Sequence, residues 1–90
     1  MAEPVSTKDQ IRDFIVENFG PSRNVTSVTD DEPLLERGIL DSLTIFRLVA
    51  FLEETFGVRI GDEEITPSNL HSVNAIAKLV EQKTTRAANR

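Results

Sequence analysis

Asp41-Ser42-Leu43-Thr44-Ile45-Phe46-Arg47-Leu48-Val49-Ala50-Phe51-Leu52-Glu53-Glu54-Thr55-Phe56-Gly57 is the stretch on which the reading of this chain turns. Ile45, Leu48, Val49, Leu52 and Phe56 fall within a narrow arc at about 100° per residue, the period of an amphipathic helix. The spacing predicts a helix from Ser42 to about Phe56, ended by Gly57 as a cap glycine. Its opposite side carries Leu43, Arg47, Ala50 and Glu54, with Phe46, Phe51 and Glu53 on the flanks. That is more apolar surface outside the core stripe than a solvent face needs. Phe51 broadens the core contact, whereas Leu43 and Phe46, beside Ser42, suit docking against a partner as well as they suit packing.

Working outward, a first helix begins at Ser6 or Thr7, where Thr7-x-x-Gln10 has the form of a capping box. Ile11, Phe14, Ile15 and Phe19 recur on one face of it, and Gly20-Pro21 stops it, with the glycine expected in the left-handed cap position. A connection rich in Ser, Thr, Asn and Asp then runs from Pro21 to about Asp41, with Leu34, Leu35, Ile39 and Leu40 expected to pin it to the core. A loop of that length is rarely idle in a compact domain. Val58 and Ile60 return the chain to the core after the second helix. Thr66-Pro67 reads as an N-cap followed by proline at the first helical position, opening a very short helix through Leu70. The last helix starts near Ser72, with Val73, Ile76, Ala77 and Val80 at i, i+3, i+4 and i+7. The expected fold is therefore all-α: a four-helix bundle of three main helices and one short one, with a long loop between the first two. Residues 1–6 are expected to be a flexible tail, residues 7–83 the domain, and residues 84–90, polar and basic, a frayed end.

Ninety residues make one small domain with little room for a buried active site. There is no cysteine, so a disulfide framework, a thiol nucleophile and a thiolate metal site are all excluded. No apolar run approaches the ~20 residues that span a membrane, and Met1-Ala2-Glu3-Pro4 lacks a signal-peptide pattern, so a cytoplasmic monomer is expected. The net charge of −5 is unevenly placed: Asp30 to Glu64 holds ten acidic residues against Arg37, Arg47 and Arg59, a local −7. Such a segment disfavours nucleic acid and anionic membranes and favours basic protein partners, although it also serves simply to keep a small domain soluble.

Few arrangements in the sequence could do chemistry. Ser42 lies outside any Gly-x-Ser-x-Gly elbow, and His71, the only histidine, falls on an inter-helix turn where a surface or capping role suits it better than general-base work. Asp62-Glu63-Glu64 and Asp30-Asp31-Glu32 read as solvated acidic segments, and no metal or nucleotide site is defensible. What stands out is a serine at a helix start, where unpaired backbone N–H groups and the positive dipole end favour a phosphate. Taken alone, Asp41-Ser42 is equally an ordinary helix cap.

Context decides between these. Pro33-Leu34-Leu35-Glu36-x-Gly38-Ile39-Leu40, Asp41-Ser42-Leu43 and Leu48-Val49-Ala50-Phe51-Leu52-Glu53-Glu54-x-Phe56-Gly57-Val58 together resemble the acyl and peptidyl carrier protein family, over residues 7–83. The resemblance implies a 4′-phosphopantetheine arm, transferred from coenzyme A to Ser42 by a Mg²⁺-dependent phosphopantetheinyl transferase. The arm's thiol would hold an acyl or aminoacyl cargo as a thioester. It implies that Asp41 lies near the transferase's metal, and that Leu43, Phe46, Arg47, Ala50, Glu53 and Glu54 form the surface met by partner enzymes. Those partners would be an adenylating or acyl-loading enzyme and downstream tailoring, condensing or transferase enzymes, with the chain itself non-catalytic.

Fatty-acid-synthase carriers resemble this helix but have acidic residues where Thr44 and Arg47 stand. Gly20-Pro21-Ser22, Ile65-Thr66 and Asn74-Ala75-Ile76 are instead similar to free-standing peptidyl carriers, of which the prolyl carriers are the nearest group. In those, a tethered proline is oxidised towards a pyrrole. A carrier of fatty-acid or polyketide synthesis stands as the alternative within the class, and a helical interaction module without a prosthetic group as the alternative outside it.

Overall fold

The computed structural model describes residues 6–88, so the expected tail over residues 1–6 lies outside the described part except for Ser6, as do the last two residues. It holds four α-helices: α1 (Thr7–Phe19), α2 (Ser42–Phe56), α3 (Pro67–Leu70) and α4 (Val73–Ala88). Single 3₁₀ turns at Pro21–Arg23 and Asp62–Glu64 punctuate the connections, and there is no strand among the described residues. α1 packs chiefly against α4, α3 against α4, and α2 touches both α1 and α4. The chain is thus an all-α bundle, as its periodicity predicts.

The core is built from the faces that the spacing marks. Ile11, Ile15 and Phe19 of α1, Leu48, Val49 and Leu52 of α2, and Val73, Ile76, Ala77 and Val80 of α4 are buried together. Each fully buried aliphatic side chain contributes about 1.5–3 kcal/mol. Ile45 and Phe56 lie at the edge of the α2 stripe and are only half-buried, while Thr44, on the first turn, is buried. Phe51 extends the core as expected, stacking on Phe14 with ring centroids 4.1 Å apart.

Several local details differ from the sequence expectation. Ser6 caps α1, its hydroxyl accepting from the Asp9 amide at 3.1 Å, so Thr7 is the first helical residue and Thr7-x-x-Gln10 is not the cap. Gly20 is right-handed, at φ −64° and ψ −46°, and the left-handed residue that ends this segment is Asn24, at φ 57°. Glycine is needed at 20 for a different reason: a Cβ there would strike the carbonyl oxygens of Val16 and Val25.

The long connection is ordered by burial and by backbone pairing. Leu34, Ile39 and Leu40 are buried, and Leu35 packs against the core. The Leu34 amide donates to the His71 carbonyl at 2.8 Å, and the Asn74 amide to the Asp30 carbonyl at 3.0 Å. These bonds tie the middle of the loop to the α3–α4 junction and satisfy backbone groups that would otherwise be buried unpaired. Arg12 reaches Asp30 from α1 and Arg37 pairs with Glu32 within the loop. The acidic triplet Asp30-Asp31-Glu32 is therefore a set of tethers. Asp62-Glu63-Glu64 is a single 3₁₀ turn, with Glu64 paired to Lys83 of α4 at 2.7 Å.

Candidate functional site

Asp41 opens α2. Its backbone is extended, at φ −141° and ψ −174°, and one carboxylate oxygen, Oδ1, accepts from the Leu43 amide at 3.0 Å and the Thr44 amide at 2.9 Å. Thr44 reciprocates: its Oγ1 accepts from the Asp41 amide at 2.8 Å, completing a capping box in which threonine does the work usual for glutamate. Thr44 is 6% exposed, so it belongs to this cap and not to the outer surface.

The cap also consumes donors. The Leu43 and Thr44 N–H groups, which the sequence offers as partners for a phosphate, are committed to Asp41. What the start of α2 retains for an anion is the Ser42 amide and the dipole end.

Ser42 is the first residue of α2 and is exposed. Its hydroxyl has no hydrogen-bond partner among the described residues. Asp41, not Ser42, carries the cap, so the serine is left free beside it. That is the distinction the dipeptide alone could not make. The burial of Ile39 and Leu40 just upstream brings the chain out of the core at Asp41, leaving the Asp41-Ser42-Leu43 segment outermost.

Arg23, which sequence reasoning passed over, completes the site. From the 3₁₀ turn after α1, its Nη2 donates to Asp41 Oδ2 at 2.7 Å, its Nε to the Gly38 carbonyl at 2.5 Å and its Nη1 to Ser22 Oγ at 3.1 Å. No local pattern announces this, because the contacts cross a loop whose path the sequence does not give. The Asp41 carboxyl is held below the usual carboxylate range, chiefly by the Thr44 amide. Desolvation opposes that shift, while the Thr44 hydroxyl, the Leu43 amide and the charge of Arg23 add to it.

Along the outer face of α2 the structure brings together Leu43, Phe46, Arg47, Ala50 and Glu54, all exposed. Leu43 is 72% exposed and Phe46 65%, the large apolar side chains left outside the described core. Arg47 leans towards α1, with its guanidinium 5.8 Å from the Phe19 ring centre, within cation–π range. Glu53 stands apart from this group: it is half-buried, and its carboxylate accepts from the Ile60 amide at 2.9 Å, fixing the turn after α2.

An exposed, unpartnered serine hydroxyl on the first turn of a helix, beside a fixed carboxylate and an apolar outer face, suits covalent attachment of a phosphate-linked group. Comparison with known proteins agrees. Residues 9–80 match the family of the phosphopantetheine attachment site. The chain belongs to this family of carrier domains, and its cofactor is covalently attached 4′-phosphopantetheine. It is 44% identical over 50 residues to a probable acyl carrier protein, PigG, of Serratia sp. (strain ATCC 39006), a match covering 56% of this chain and 58% of that relative. Less than two thirds of the relative's length is therefore spanned. A chain in the solved structure described as "Crystal structure of FAD-dependent dehydrogenase" superimposes with a TM-score of 0.62 at 33% identity, covering 80% of this chain and 94% of its own.

Proposed function

We propose that Ser42 carries the phosphopantetheine arm and that the protein is a discrete aminoacyl or peptidyl carrier of specialised biosynthesis, serving partner enzymes as their substrate. The observation that carries this reading is the free Ser42 hydroxyl at the exposed start of α2. The bound arm supplies a terminal thiol, which a cysteine-free chain otherwise lacks. The residues of the chain do the rest. Ser42 Oγ would attack the phosphorus that bears the arm in coenzyme A and give up its proton as the pyrophosphate bond breaks and 3′,5′-adenosine bisphosphate leaves, and Asp41 stands where a carboxylate can face the transferase's divalent cation. Leu43 and Phe46 give partners an apolar anchor, and Arg47, Ala50 and Glu54 extend that surface, with Glu53 at its inner edge. Weak, fast docking on such a patch suits a cargo passed between several enzymes.

Arg47 places positive charge in the middle of the docking face, which favours partners other than those with a basic carrier-binding patch. The likeness to a chain in a structure described as an FAD-dependent dehydrogenase supports a flavin enzyme that oxidises tethered cargo as one partner. Together with an adenylating enzyme that loads the amino acid, this matches the prolyl-carrier resemblance. No described helix is long and apolar enough to cross a membrane, and a cytoplasmic site of action accords with a coenzyme A-dependent modification.

Intact mass tests the proposal. Incubation with coenzyme A, Mg²⁺ and a broad-specificity transferase should add one phosphopantetheine, about 340 Da, to the wild type and nothing to Ser42→Ala. Addition to both proteins, or to neither, contradicts it. Charging of the modified protein with an amino acid by an adenylating enzyme supports the aminoacyl branch, whereas charging by malonyl transfer alone would move it to the acyl branch.

A further inference from the structure

We infer that Arg23 is a positioning residue for modification at Ser42, an inference that rests on the carrier reading above. Its three donor groups join its own turn to the end of the long connection. Nη1 meets Ser22 in its own turn, Nε meets the Gly38 carbonyl, and Nη2 meets Asp41 Oδ2. The last two contacts close the long connection on itself, joining its first turn to its final residues. Asn24 and Gly38, both left-handed, at φ 57° and φ 73°, bend the two ends of this closure, and Asn and Gly are the residues that adopt that region most readily. Ile39 and Leu40 fix the depth of the loop end by burial, but neither governs the rotation of the carboxylate that follows.

The cap and Arg23 hold different oxygens of that carboxylate. Asp41 Oδ1 is held by the Leu43 and Thr44 amides, while Oδ2 is held by Arg23. With both oxygens engaged, the carboxylate next to Ser42 has one orientation, and its charge is balanced where the anionic phosphates of coenzyme A must approach. The same clasp holds exposed Pro21 and Ser22 at the rim of the first turn of α2, so a modifying enzyme meets both segments as one surface. Arg23 touches neither the nucleophile nor the reacting phosphorus. It acts through Asp41 and through the shape of the loop.

The test is steady-state transferase kinetics with the apo protein as varied substrate, on wild type, Arg23→Ala, Arg23→Gln and Arg23→Lys, at a temperature well below each thermal midpoint. Arg23→Ala and Arg23→Gln should lower kcat/KM by about three- to fivefold, mostly through KM, the scale of a partly exposed ion pair. Arg23→Lys should recover at least half of that loss, because it keeps the charge and one donor. A purely structural role would instead follow melting temperature and show no rescue by charge. The amide resonances of Leu43 and Thr44 should shift in Arg23→Ala and Arg23→Gln. Rates within twofold of wild type for Arg23→Gln, or Arg23→Lys as impaired as Arg23→Gln, overturn the inference, and that comparison stands even if the alanine variant fails to fold. A wild-type protein that takes no phosphopantetheine sinks the carrier reading itself, which is a separate result.

Discussion

The inner and outer faces of α2 contain similar residue types put to opposite uses. Inside, Leu48, Val49 and Leu52 are buried among α1 and α4; outside, Leu43 and Phe46 stand in solvent on the same helix, one turn from Ser42. Folding explains the first set and gives no account of the second. Under the proposed docking role, these two side chains are the apolar surface that a partner covers. The contrast separates what holds the carrier together from what it presents.

Truncations should divide the two faces cleanly. The largest effect belongs to Leu52→Ala, which should lose about 2–5 kcal/mol of stability in denaturant unfolding through lost burial and a cavity. Leu43→Ala and Phe46→Ala should change stability by less than about 0.5 kcal/mol. Each should nevertheless lower transferase kcat/KM, or loading-enzyme kcat/KM, by about tenfold, as apolar anchors of an interface do. If those two variants destabilise as Leu52→Ala does, or leave every partner reaction unchanged, the division between faces fails.

A smaller effect concerns the junction of the faces at Asp41. Its carboxyl is depressed in the folded protein, so the folded state takes up that proton at lower pH than the unfolded chain does. The sign follows directly: the contribution is complete above the ordinary carboxylate range, about pH 4, and is lost as pH falls through the lower folded-state value. Asp41→Asn keeps an oxygen for the cap but cannot titrate. Its melting temperature should fall less steeply than that of wild type between about pH 4.5 and 2.5. Parallel acid profiles for the two proteins would show that Asp41 is not held in this way.

How much of this the sequence disclosed depended on the range of the interaction. The helices, the inner stripe of α2, Gly57 as its cap and Thr66-Pro67 as the start of α3 are set by neighbours within a turn or two, and a linear pattern records such neighbours. Gly20 misled because the same residue serves a close backbone approach as readily as a left-handed cap, and only the position of the Val25 carbonyl distinguishes them. The burial of Thr44 follows from the reciprocal cap with Asp41, which helical periodicity alone does not mark. Glu53 read as a docking residue, yet its carboxylate faces the Ile60 amide beyond the following turn. Arg23 left no local trace, since its partners lie 15 and 18 residues away across an irregular loop. The proposed site was thus read from the sequence at Asp41, Ser42 and Leu43, while the contacts that the loop makes with it from Arg23 were not.

The proposed presentation requires the arm on Ser42 and on no neighbouring hydroxyl. Trypsin cleavage after Arg37 and Arg47 would release Gly38–Arg47, in which Ser42 and Thr44 are the two side-chain hydroxyls. Fragmentation of this peptide from the enzymatically modified protein should place the whole added mass on Ser42. Finding it on Thr44, on Ser22 in another peptide, or nowhere in the chain would contradict the account.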